Sequence, residues 1–188
     1  LMAGAGEEEL EEFSVIKSVQ ARLPWLTITW IGGIATAILM GHFTQPMEKM
    51  IILATFIPIV MAMGGNVGTQ SATIVVRGIA TERIDYRRIS RFFLGQIMIG
   101  LLLGTIIGLA TALFVQFKHS AFELSFIIGT AMISVMSFSA LVGTALPAIF
   151  KRAGVDPAIA TAPIIATSCD IMGIFIYFSL ASVLMKAV

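Results

Sequence analysis

Residues 157–185 read PAIATAPIIATSCDIMGIFIYFSLASVLM, an apolar stretch with one carboxylate, Asp170, and no other charge. A helix needs about 20 apolar residues to cross a bilayer, so this run is long enough to do so. An acid at that depth costs several kcal/mol or more unless water, a partner or a cation stabilises it. Intramembrane acids of this kind mark ion or proton pathways. The alternative is a protonated Asp170 hydrogen-bonded between helices.

The residues around the acid refine that choice. Asp156-Pro157 is a strong helix start, with Asp at the N-cap and Pro in the first turn. Asp170 comes fourteen residues after Asp156, which on a continuous helix is nearly the same face about 21 Å further along. Pro163 is placed to kink the axis and blur that alignment. On the Asp170 face lie Ala166, Gly173 and Tyr177, two of them small, which leaves room for an ion that keeps its water shell. Mg²⁺ is hard, prefers oxygen and dehydrates reluctantly, so a carboxylate binding it through water is chemically sound. One Asp per chain is a poor dication site, whereas a twofold pair in a homodimer supplies two. For Asp156, a helix cap and a second ion site both remain open.

Composition agrees with a membrane setting. The chain has 188 residues, 57% hydrophobic and 12% charged, with mean hydropathy +0.96. Soluble domains carry about 25% charged residues, twice this share. The apolar surplus falls into runs near residues 23–40, 50–76, 92–117, 122–150 and 157–185. The expected class is therefore an all-α polytopic membrane protein with five transmembrane helices per chain. Five crossings put the two ends on opposite sides. Lys17, Arg22, Arg77, Arg83, Arg87, Arg88, Arg91, Lys151 and Arg152 gather on one side, against Lys49, Lys118 and Lys186 on the other. The positive-inside rule makes the first side cytoplasmic, with the N-terminus inside and the C-terminus outside a cell membrane. The same rule explains the basic connector 77–91 without any nucleic-acid partner.

Residues 1–22 include Glu7, Glu8, Glu9, Glu11 and Glu12, then Phe13, Val15, Ile16 and Val19. They read as a short amphipathic helix entering the first span, or as a solvated acidic arm. Leu1-Met2-Ala3-Gly4 looks like a boundary or tag remnant, and the acidic opening lacks the basic-then-apolar pattern of a cleavable leader. Cys169 is the only cysteine, which excludes an intramolecular disulfide and a Cys-rich metal site. His42 and His119 fall in connectors without clustered ligands.

The second span changes character halfway, at Met63-Gly64-Gly65-Asn66-Val67-Gly68-Thr69-Gln70-Ser71-Ala72-Thr73. Polar or irregular backbone at membrane depth is tolerated only against protein or along water. One reading is a hydrated path lined by carbonyls and neutral oxygens, with Asn66 and Gln70 four apart on one helix face. The other is a packing seam of small residues. Glycine serves either, by close approach or by leaving helical geometry. Pro58 frees a carbonyl upstream.

Those stretches resemble the membrane domain of the MgtE magnesium channels and transporters. Residues 58–77, closed by Arg77-Gly78, and Asp156-Pro157-Ala158 followed by Asp170 carry the resemblance, which extends from about Leu23 onward. It implies a homodimeric, Mg²⁺-selective pore at the dimer axis, built around the second and fifth helices and driven by the electrochemical gradient. Asp170 matches the family's intramembrane acid, whose symmetric pair holds hydrated Mg²⁺. Asp156 matches an acid near the cytoplasmic mouth tied to further Mg²⁺ and gating, and Asn66 lies in the pore-side motif. Gly65, Gly68, Thr69, Ala166 and Gly173 are expected to line the path. Mg²⁺ is the expected ligand and cargo, with no organic cofactor. Family members also carry a soluble N-terminal domain and paired CBS modules. Residues 1–22 look like the end of the helix connecting those modules to residues 23–188, which fits a truncated chain better than a minimal homologue.

Rival classes are distinguishable. A proton- or Na⁺-coupled divalent cation carrier would use Asp170 as the titrating group, and a scaffold would use it only to join helices. Gly64-Gly65-Asn66-Val67-Gly68 lacks the lysine of an ATP-binding loop. No Ser/His, paired-Asp or metal-ligand constellation accompanies Asp170, so a non-enzymatic role is expected.

Overall fold

Unbroken apolar runs must satisfy their own backbone hydrogen bonds in hydrocarbon, and helices do so within a single segment. The structure, a computed structural model describing residues 14–43, 51–83 and 90–187, has five helices: α1 Val15–His42, α2 Ile51–Ala80, α3 Ser90–His119, α4 Phe122–Arg152 and α5 Pro157–Ala187. At 1.5 Å per residue each is about 42–46 Å long, more than the ~30 Å hydrocarbon core, so their ends tilt or project beyond it. All five are long and apolar enough to cross a membrane, as the sequence predicts, and the described residues contain no strand. Val15 to Arg22 form the first two turns of α1. Residues 1–13, with the acidic cluster, lie outside the described residues, as do Lys49, Arg87 and Arg88.

The pairing of residues fixes an alternating up-and-down order. Gly100, Gly104 and Gly108 of α3 lie against Ala140, Ile133 and Gly129 of α4, so those two helices are antiparallel. Only Ser120 and Ala121 connect them, a link too short for any other arrangement. Gly64, Gly68 and Val75 of α2 meet Ser139, Gly143 and Ala148 of α4, so these run parallel. α5 is antiparallel to α2, with Tyr177 at Leu53 and Cys169 at Gly68. α1 runs beside α5 in the same direction, with Gly32 on Thr167 and Phe43 stacked on Phe178 at 5.6 Å.

α4 is the centre of this arrangement, touching α2, α3 and α5. Just over half of its spanning window, 56%, is buried, against 6% for α1, which packs mainly on α5. Lipid tails are as apolar as Leu, so close van der Waals fit and hydrogen bonds hold such helices together. The glycines on α2, α3 and α4 provide the fit. The Tyr177 hydroxyl provides a long-range bond, donating to the Leu53 carbonyl at 2.8 Å from a fully buried ring.

The ends of the helices are cut sharply. After α4, Gly154 takes the left-handed conformation (φ 75°), and Val155 N–H reaches back to Phe150 C=O at 2.9 Å. That is a Schellman stop, and glycine adopts it without a Cβ clash. The chain then turns at once into Asp156 and α5. With the helices alternating, exposed Lys17, Arg22, Arg77, Arg83, Lys151 and Arg152 share one end of the bundle with Asp156.

Two outcomes follow. Tyr177→Phe removes the bond to Leu53 and lowers stability by about 0.5–1.5 kcal/mol, read as a lower unfolding midpoint in detergent; an unchanged midpoint would show that the bond contributes nothing. In a Cys169→Ser background, a membrane-impermeant thiol reagent added to intact cells labels Lys118→Cys but not Arg83→Cys. The reverse pattern would invert the expected orientation.

Candidate functional site

The glycine-rich stretch of α2 stays helical throughout, so its glycines act by close approach rather than by unwinding. It presents two different faces. Gly64, Gly68, Ser71, Ala72 and Val75 are buried. A Cβ on Gly68 would stand 2.9 Å from Cys169 Sγ and 3.1 Å from Ile165 Cγ2, both on α5. Asn66, Thr69 and Gln70 are exposed and Thr73 is partly so. At offsets of three, four and seven they form one polar stripe. Thr73 donates its hydroxyl to the Thr69 carbonyl at 2.8 Å. Gly65 borders this stripe, with nothing within 4 Å of the position a Cβ would take.

Asp170 sits near the middle of α5 and is half-buried. It directly follows Cys169, whose sulfur lies at Gly68, so the acid is level with the polar stripe of α2. Among the described residues no cation comes within ion-pair reach of it. Ala166, one turn earlier, is also half-buried. Two residues expected to line an open path are packed instead. Gly68 closes onto α4 and α5, and Gly173 is covered by the flexible Met61 side chain, 2.9 Å from its would-be Cβ. Tyr177, expected on the same face, is turned into the core by its bond to Leu53. The reason is shared: α2 and α5 press together along their glycines, which removes the space the small residues alone would leave. Asp156 is exposed immediately before α5. Among the described residues no group of three His, Cys, Asp or Glu side chains is placed to hold a metal.

Sequence reasoning placed the fourth span but missed its part in the site. Gly143 abuts the Gly68 carbonyl, and its would-be Cβ would stand 3.0 Å from Gly68 Cα. Ser139 lies one turn before it, fully buried, with its Oγ 3.1 Å from the would-be Cβ of Gly64 and, among the described residues, with no well-formed hydrogen bond, only the weak Cys169 thiol beside it. Leaving a buried hydroxyl unpaired costs about 1–3 kcal/mol. The available signal was the small-xxx-small spacing of Ser139 and Gly143, which marks close helix contacts in membranes.

Polar side chains facing hydrocarbon are costly, so the open stripe needs water or a second protein surface over it. An acid level with neutral oxygens and amides attracts cations and orients their hydration water.

The MgtE family model, described as a divalent cation transporter, matches residues 57–180, which include the polar stripe, Asp156 and Asp170. Three curated relatives are each a magnesium transporter MgtE. That of Thermus thermophilus is 36% identical over 168 residues, 89% of this chain and 37% of the relative. That of Enterococcus faecalis is 33% identical over 185 residues, 98% of this chain and 41% of the relative. That of Bacillus subtilis is 28% identical over 180 residues, 96% and 40%. The chain thus spans about two fifths of the length of these relatives.

If the stripe is wet, cysteines placed there ionise and react. In a Cys169→Ser background, Asn66→Cys and Gln70→Cys are expected to react with a hydrophilic thiol reagent at least tenfold faster than Val67→Cys or Val75→Cys. Equal rates at all four positions would mean a dry stripe.

Proposed function

This chain belongs to the MgtE family of divalent cation transporters, and from that premise we propose that it forms the membrane part of a Mg²⁺ transporter. Two copies pair about a twofold axis with their α2 stripes and α5 acids facing each other. The pair of Asp170 carboxylates holds Mg²⁺ through its water shell, which suits an ion that dehydrates reluctantly. Asn66, Gly65 and Thr69 line the approach, and Asp156 collects ions at the cytoplasmic mouth. A cytosolic regulatory region, implied by the family resemblance, joins at the N-terminal end of α1.

One observation carries this proposal: an open polar stripe lies level with a half-buried acid that has no cation partner among the described residues. A scaffold has no need of it, because a joining acid would be sealed between helices. Pairing of two chains covers the stripe and doubles the negative charge. Inward movement needs no ATP, since two charges gain about 4.6 kcal/mol per 100 mV of membrane potential.

The test is Mg²⁺ flux into liposomes holding purified protein, for wild type, Asp170→Asn and Asp170→Ala across a pH series. Both variants are expected to lose at least tenfold in flux while remaining dimeric. Wild-type flux in the variants would overturn the proposal. Flux that requires or dissipates a pH or Na⁺ gradient would instead identify a coupled carrier with Asp170 titrating.

A further inference from the structure

Ser139 stands apart from the other hydroxyls of its helix. In α4, Ser125, Thr130, Ser134, Ser137 and Thr144 each donate to a carbonyl one turn back, at 2.7–2.9 Å. That back-bonding is the ordinary way to satisfy a hydroxyl within a membrane helix. Ser139 forgoes it. Its Oγ is wholly buried, lies toward Gly64 of α2, and has the Cys169 thiol of α5 beside it as a weak partner, with no bond of full hydrogen-bond geometry among the described residues. One turn on, Gly143 is pressed onto the Gly68 backbone. Both α4 residues therefore meet α2 behind its polar stripe, and Ser139 also meets α5 at the residue preceding Asp170.

We propose that Ser139 and Gly143 are positioning residues for the ion path, setting the spacing between the α2 stripe and the α5 turn that carries Asp170. Neither touches the ion. Gly143 sets how closely α2 approaches α4. Ser139 holds in reserve a donor that the Cys169 sulfur or the α2 backbone takes up when the two helices shift during transport. A buried hydroxyl unpaired in one arrangement is accounted for if it is paired in another. The inference rests on the reading of Asp170 as the ion-holding acid.

Ser139→Ala separates positioning from mere packing, because it removes an unpaired hydroxyl and leaves the volume nearly unchanged. It is expected to lower maximal Mg²⁺ flux in liposomes at least fivefold, with an unfolding midpoint equal to or above wild type. Ser139→Cys, which restores a donor, recovers at least half of that flux. Gly143→Ala is compared with Gly104→Ala, whose new Cβ meets the Ile133 backbone at 2.9 Å, on the α3 side of α4. Both lower the midpoint, but only Gly143→Ala reduces flux per folded dimer tenfold or more. Wild-type flux in Ser139→Ala, or equal flux per folded dimer in the two glycine variants, overturns the inference. Asp170→Ala in the same assay keeps the two claims apart. Normal flux there defeats the reading of Asp170, whereas lost flux there with normal flux in Ser139→Ala defeats only the positioning role.

Discussion

Where α2 crosses α4, Gly68 and Gly143 bring two backbones together with no space for a methyl group between them. Much else depends on that approach. It buries one side of α2 against α4 and α5, so the other side, with Asn66, Thr69 and Gln70, must turn outward. It also draws Cys169 onto Gly68, which sets the height of Asp170 on α5. In hydrocarbon no hydrophobic effect drives helices together, so such fitted contacts and the few buried hydrogen bonds largely decide the arrangement.

A division of labour among the helices follows. α4 is the hub and the most buried of the five helices, while α3 packs mainly on α4 and leaves a long apolar face exposed. α1 is the least buried helix and is joined to the rest mainly along α5. α2 and α5 combine contact with the hub, an open polar stripe and a half-buried acid at membrane depth. An ion path along them would therefore rest on α4 from behind.

The glycine-rich stretch of α2 shows how two readings of one sequence can both hold. Close packing and an open polar stripe looked like alternatives in the linear order of residues. On a helix they occupy different faces. Gly64 and Gly68 serve the seam; Asn66, Thr69 and Gln70 stay open. Gly68 and Gly173, expected along a path, are closely packed in this chain, because residue size alone does not say which way a glycine faces.

The sequence by itself determined the five crossings, through run length and hydropathy, and the shared end of the basic connectors, through alternation of spans. It also singled out Asp170, because a carboxylate within a long apolar run is costly enough to stand out without coordinates. Only the tertiary structure decided which face of α2 is buried, that Met61 fills the space at Gly173, and that Ser139 and Gly143 of α4 stand behind the site. The reason is physical: hydrocarbon selects for apolar length, which is local and legible, whereas helix rotation is set by contacts between residues distant in the chain, such as Gly68 with Gly143.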